Sequence, residues 1–276
     1  MQLEDIRFLI VGATKSATTW LQQSLQRHPA VYMPDPELHY FSRYYDRGAS
    51  WYLSQFEPGD HRRRLIGEKS NSYMDTPDAA GRIRRDLPQV QLIAQLRNPI
   101  ERAYSDYCML YRRGEVGRDI EQYLDPRVAD GGRFLNGGLY YRQLCGFLEV
   151  FPADRFLILL FEDIRTQPQR QLDMVGAFLK LEGDLAIPPA EEKVKDKTQA
   201  VIGPHLRRIL SPLKPLVKPI RQTGAFAAVR SLVAKELNYP ALKPDLRSRL
   251  IEYYAGEVEQ LGKSTGRDFS PWLEAR

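Results

Sequence analysis

Residues 6–21 read IRFLIVGATKSATTWL. Ile6 to Val11 are apolar apart from Arg7 and fit a buried strand. A short loop with one lysine, Lys15, follows, and the spacing predicts a helix over about 17–27. A helix start leaves four backbone N–H groups without intrahelical partners and carries the positive end of the peptide dipole. An anion placed there meets both donors and a favourable field. Lys15 adds a full charge, and Thr18 and Thr19 add hydroxyl donors. The stretch therefore reads as strand, anion-binding loop and helix.

The loop is not of the ATP-binding kind. A Walker A loop places a second glycine directly before its lysine and a magnesium-binding Ser or Thr directly after it. Here Lys15 follows Gly12 by three residues and the second glycine is missing. A second stretch, VQLIAQLRNPIERAYSDY (90–107), repeats the strand, turn and helix order. Val90 to Leu96 suit a buried parallel strand, and Pro99 suits a first helical position because its missing N–H would lack a partner anyway. Arg97 ends the strand and Ser105 lies two turns into the helix. A planar bidentate arginine beside a hydroxyl suits a phosphate monoester.

Both stretches carry a family resemblance. GATKSATTW (12–20) resembles the 5′-phosphosulfate loop of sulfotransferases that use 3′-phosphoadenosine 5′-phosphosulfate (PAPS). RNPIERAYSDY (97–107) resembles the signature Arg-(Asn/Asp)-Pro-x-x-Arg-Ala-x-Ser-x-Tyr by which that family grips the 3′-phosphate. The resemblance implies that Lys15, Ser16, Ala17, Thr18 and Thr19 hold the 5′ end, and that Arg97 and Ser105 hold the 3′-phosphate. Arg102 is expected to pack or pair locally. Many members have Gly where Ala17 stands; alanine accepts helical angles at a helix start, so the exchange is expected to cost little.

Further segments extend the likeness over roughly residues 6–180. PELHYF (36–41) resembles the family's KExHFF, with Pro36 in place of the lysine. GEKSNSYM (67–74) resembles Gly-Glu-Lys-(Ser/Thr)-Pro-x-Tyr, and GLYYRQLCGFLEVFP with FEDI (138–164) resembles GxYxxxLxxWL, FP and YEDL. TGRDFSPW (265–272) resembles the common ending. Their order favours the carbohydrate and small-molecule branch, with heparan sulfate-type and bacterial sulfotransferases, over the phenol-sulfating one.

Sulfuryl transfer needs positioning, a cation for the leaving group and a base for the acceptor proton. The resemblance gives the leaving-group role to Lys15, the base role to Glu37, and a place beside the phosphosulfate to Lys69. A solvated loop acid and a surface salt bridge are the plainer readings of Glu37 and Lys69. His39 is the other candidate base, since imidazole titrates near neutrality, and is equally readable as structural. Trp20 matches a family tryptophan that stacks on adenine; a core tryptophan fits as well. No metal is required by this chemistry.

Composition agrees with one enzyme-sized domain over 1–276. The 43% hydrophobic and 27% charged fractions are those of a globular chain. No membrane-spanning run and no signal-peptide pattern is visible, so a cytoplasmic location is expected. Cys108 and Cys145 are read as isolated core thiols. The net charge is +5, and residues 201–240 carry seven basic side chains against one acidic. Residues 190–240 therefore read as a basic lid on the acceptor side. The segment is either solvated or meets an anionic acceptor or lipid headgroups.

Apolar spacing further predicts helices over about 77–87, 99–113, 138–151 and 167–179 and a buried strand over 155–161. The expected fold is α/β, a P-loop-like three-layer sandwich with a central, mostly parallel sheet flanked by helices. The expected activity is PAPS-dependent transfer to a hydroxyl or amine of a small-molecule, glycan or lipid-linked acceptor, with no nucleic-acid partner. A nucleotide kinase, or a non-catalytic basic protein binding membrane or nucleic acid, are the alternatives. The first lacks the Walker lysine context, and the second leaves the two anion loops unexplained.

Overall fold

Apolar runs flanked by helix-forming segments fold here into five strands: β1 (Ile6–Gly12), β2 (Val31–Tyr32), β3 (Leu65–Lys69), β4 (Gln91–Leu96) and β5 (Phe156–Leu160). They form one sheet in the order β2-β3-β1-β4-β5, and every neighbouring pair is parallel. The computed structural model describes residues 1–56, 65–129, 131–189, 201–202, 234–235 and 237–274. The basic residues from 203 to 233, and most of the expected 190–240 lid, lie outside the described residues. Val201–Ile202 and Ala234–Lys235 form a separate antiparallel pair.

Both faces of the sheet are covered, which is why its central strands read as near-continuous apolar runs. On one face Leu9, Val11, Leu92, Ala94 and Leu96 share a core with Ile83, Ile100, Tyr107, Leu144, Leu250 and Tyr254. On the other, Phe8, Ile10, Ile93 and Leu159 pack with Leu21, Leu25, Leu172 and Val175. The alternation follows the two-residue period of a strand. Each fully buried Leu, Ile or Phe stabilises by about 1.5–3 kcal/mol. Gly67 in β3 has no side chain because a Cβ there would lie 2.4 Å from the Phe8 ring.

The helices Thr18–Gln26, Ala79–Asp86, Pro99–Arg113, Tyr140–Leu148 and Pro168–Leu179 fall where the pattern predicts them, within a few residues at each end. Asn98 caps the Pro99–Arg113 helix, its side-chain oxygen accepting from the Ile100 and Glu101 N–H groups at 3.0 and 3.3 Å. The same side chain donates through Nδ2 to the Trp272 carbonyl at 2.9 Å. The C-terminal segment is thereby fastened to the turn after β4.

Two elements differ from the expectation. The strand expected over 155–161 ends at Leu160, and Phe161 opens a short helix, Phe161–Thr166. A 22-residue helix, Pro244–Thr265, was not anticipated; it buries Leu246, Leu250, Tyr254, Val258 and Leu261. Cys108 is buried as expected, whereas Cys145 is only half-buried. Among the described residues no helix is long and apolar enough to cross a membrane.

Candidate functional site

The β1 loop leaves the sheet against Met74, where a Cβ on Gly12 would come within 2.8 Å of the Met74 Cβ. Lys15 (φ 71°) and Ala17 (φ 62°) both take left-handed backbone angles. Ala17 is the residue that precedes the Thr18–Gln26 helix. The helical angles expected for Ala17 are thus wrong: the loop turns into the helix through a conformation that costs an L-residue roughly 1–2 kcal/mol and glycine almost nothing. The Lys15 ammonium sits 3.7 Å from Met109 Sδ, and its carbonyl accepts from Arg97 Nη1 at 3.1 Å. The two anion loops are therefore tied to each other.

Arg97 lies at the end of β4 with its guanidinium 4.3 Å above the Phe161 ring. Burial pulls its pKa down from the ordinary arginine value, chiefly by desolvation, while Glu101 opposes the shift. An arginine so placed keeps its charge. Its Nε and the Ser16 hydroxyl are buried and make no hydrogen bond among the described residues. Buried donors left over in this way fit an anionic ligand that would complete them. Arg102 is buried and bonds the Phe134 carbonyl, with Asp106 3.8 Å away, the local pairing expected of it.

A cavity of about 1690 Å³ opens above the carboxyl ends of the strands. Lys15, Ala17, Thr18, Thr19, Trp20, Glu37, His39, Arg97 and Ser105 line it. Ser16 and Lys69 lie just behind its wall. Trp20 is half-buried, packs against the Leu21–Leu25 side of the core and also reaches the cavity, so both of its readings survive.

Glu37 is held at both carboxylate oxygens. Its Oε2 accepts from the Asn71 backbone N–H at 3.1 Å and its Oε1 from Asn71 Nδ2 at 3.0 Å. Lys69 Nζ lies 3.3 Å from Oε1 and also 3.3 Å from the Thr19 hydroxyl. The Lys69 side chain is 4% exposed, so the surface salt bridge gives way to a buried lysine that links Glu37 to the first turn of the Thr18–Gln26 helix. Asn71 was missed by sequence reading. It stands where the family pattern has proline, which could form neither bond, and that departure was the available signal.

His39 (φ 52°) lines the cavity with Nε2 3.7 Å from Glu37 Oε2 and Nδ1 2.7 Å from the Ser72 hydroxyl. Burial lowers its pKa; the Glu37 carboxylate opposes this, and Arg43 and Lys69 add to it. Behind the loop, Glu68 is fully buried and accepts from Tyr73, Ser70 and Tyr52 at 2.5, 2.8 and 3.3 Å. Desolvation pushes its pKa up to about 7, against the pull of those hydroxyls. Ser70 in turn accepts the His39 backbone N–H at 2.9 Å, which joins this hub to the site. Glu68 stands in the GEKSNSYM motif, but nothing in the sequence marked it as a buried hub.

Comparison with known proteins bears on the family and the fold. The family described as sulfotransferase domain matches residues 5–202. Heparan sulfate glucosamine 3-O-sulfotransferase 6 of Mus musculus is 33% identical over 178 residues, covering 63% of this chain and 52% of that protein. Bifunctional heparan sulfate N-deacetylase/N-sulfotransferase 2 of Bos taurus is 31% identical over 191 residues, covering 63% of this chain and 22% of that protein. The chain thus spans about half the length of the first of these relatives and less of the second. The crystal structure of a sulfotransferase from Alicyclobacillus acidocaldarius has the same fold, with a TM-score of 0.71 at 23% identity over 98% of this chain and 99% of that one. With the family matching residues 5–202, well over half of its length, the chain belongs to the sulfotransferase domain family, a family of PAPS-dependent enzymes.

Proposed function

We propose that this chain transfers the sulfuryl group of PAPS to a hydroxyl or amine of a small-molecule, glycan or lipid-linked acceptor. The observation that carries the reading is the convergence of the Lys15 loop, the Arg97–Ser105 pair and the Glu37 carboxylate on one cavity. The acceptor oxygen or nitrogen forms the new bond to sulfur as the bridging S–O bond to the nucleotide phosphate breaks. Glu37 takes the acceptor's proton, and 3′,5′-ADP leaves with its new charge held by Lys15 and the helix start. Arg97 and Ser105 hold the 3′-phosphate, and Lys69 keeps Glu37 beside the reacting end. The heparan sulfate relatives, one an O- and one an N-sulfotransferase by name, support a glycan acceptor without choosing the atom.

Calorimetric titration should give saturable binding of 3′,5′-ADP and none of ATP with magnesium. A screen with labelled PAPS across glycan, lipid-linked and small hydroxylated acceptors should identify the class. Removing a positioned base costs ~10²–10⁴ in rate, so Glu37→Gln should lose kcat in that range while still binding 3′,5′-ADP. Wild-type turnover in Glu37→Gln would strip Glu37 of the role.

A further inference from the structure

His39 is joined to a chain of hydroxyls whose favoured direction follows from the number of hydrogen bonds each direction forms. Ser42 Oγ is 3.2 Å from the His39 carbonyl, which can only accept. Ser42 Oγ is 2.7 Å from Ser72 Oγ, and Ser72 Oγ is 2.7 Å from His39 Nδ1. When Ser42 donates to the carbonyl, Ser72 donates to Ser42 and the imidazole must donate from Nδ1 to Ser72. That direction forms three hydrogen bonds; the reverse forms two. The neutral ring then carries its proton on Nδ1, and the Nε2 lone pair faces the Glu37 carboxylate.

We infer that Ser72 and Ser42 set the tautomer of His39 so that its Nε2 is the second station for the acceptor's proton. The inference rests on the reading of Glu37 as base. Glu37 Oε2 takes the proton from the attacking hydroxyl or amine and passes it across the 3.7 Å gap to Nε2, which leaves a carboxylate beside an imidazolium. Glu37 is thereby restored for the next acceptor, and the proton leaves from the cavity to solvent. Asn71 holds both Glu37 oxygens during this exchange, so the carboxylate does not swing away. The charges facing His39 are Glu37 from its own loop, Arg43 from the helical turn that follows, and Lys69 from the end of β3. Ser72 and Ser42 touch neither acceptor nor nucleotide in this scheme and act as positioning residues.

The test is the pH dependence of kcat from about pH 5 to about pH 9, measured with 3′,5′-ADP binding as the control for folding. Ser72→Ala removes the acceptor of Nδ1–H. The imidazolium loses a partner and the neutral ring can turn its proton toward Glu37, so both effects weaken the pair's hold on a proton. The acidic limb should move down by roughly one pH unit, with a lower plateau. Ser42→Ala should move it in the same direction by less, and Ser72→Thr, which keeps the hydroxyl, should restore the wild-type limb. In His39→Asn the limb should move likewise, and adding Ser72→Ala should change nothing further.

A uniform loss at every pH in both serine variants overturns the inference, as does a Ser72→Ala effect that is undiminished in His39→Asn. If Ser72→Ala fails to bind 3′,5′-ADP, the Ser42→Ala profile decides. The two readings fail separately. Glu37→Gln at wild-type speed refutes the base assignment, whereas a slow Glu37→Gln with unmoved limbs in the serine variants refutes the tautomer control alone.

Discussion

Arg97 bonds the Lys15 carbonyl, stacks on Phe161 and has a buried Nε with no hydrogen bond among the described residues, so it serves the fold and keeps a donor for the proposed 3′-phosphate. A hydrogen bond to a charged group contributes about 1.5–3 kcal/mol. Arg97→Ala should therefore weaken 3′,5′-ADP by roughly 10–100-fold, and 5′-AMP by clearly less, in a calorimetric comparison of the two. Some loss for 5′-AMP is expected because the Lys15 carbonyl also loses its donor. Equal losses would take the 3′-phosphate away from Arg97. Both anion motifs were legible as residues because they join a run of apolar side chains to a helix start with a cation between. The backbone angle of Ala17 and the burial of Lys69 were not. A left-handed angle leaves no mark in a residue with no special chemistry, and lysine is usually exposed.

At the scale of elements, β3 ends in a charged pair of opposite fates, with Glu68 turned into the core and Lys69 toward the site. Glu68 titrates at about 7 in the folded chain against an ordinary 4.5, so the native state binds an extra proton between those values. The stability it contributes is full below the ordinary carboxyl pKa and is lost as pH rises through about 7. Thermal midpoints should fall between about pH 5 and about pH 8, and Glu68→Gln should flatten that slope, which corresponds to roughly 3 kcal/mol. An unchanged slope in the variant would place the titration elsewhere. The sheet itself was legible because strands buried on both faces read as apolar runs. The Pro244–Thr265 helix was overlooked although Leu246, Leu250, Tyr254, Val258 and Leu261 recur at helical spacing behind a first-turn proline. No chemical motif drew attention to it.

Across the whole molecule, the sequence places its surplus positive charge in residues 201–240. An anionic acceptor drawn to that segment would bind less well in salt, since screening acts over about 10 Å at 0.1 M. Replacing Arg207, Arg208, Lys214 and Lys218 with Gln should raise the acceptor KM severalfold at low ionic strength, with PAPS KM nearly unchanged. An acceptor KM indifferent to both salt and these substitutions would leave the segment without that role. The bond from Asn98 to the Trp272 carbonyl spans 174 residues of sequence and caps the turn that aims Arg97. On the ribosome, the Lys15 loop and the Arg97 turn emerge long before the segment that fastens them. The nascent chain therefore ties down the turn that carries Arg97 only after the Pro244–Thr265 helix and Trp272 have emerged, when all five strands of the sheet have already been made.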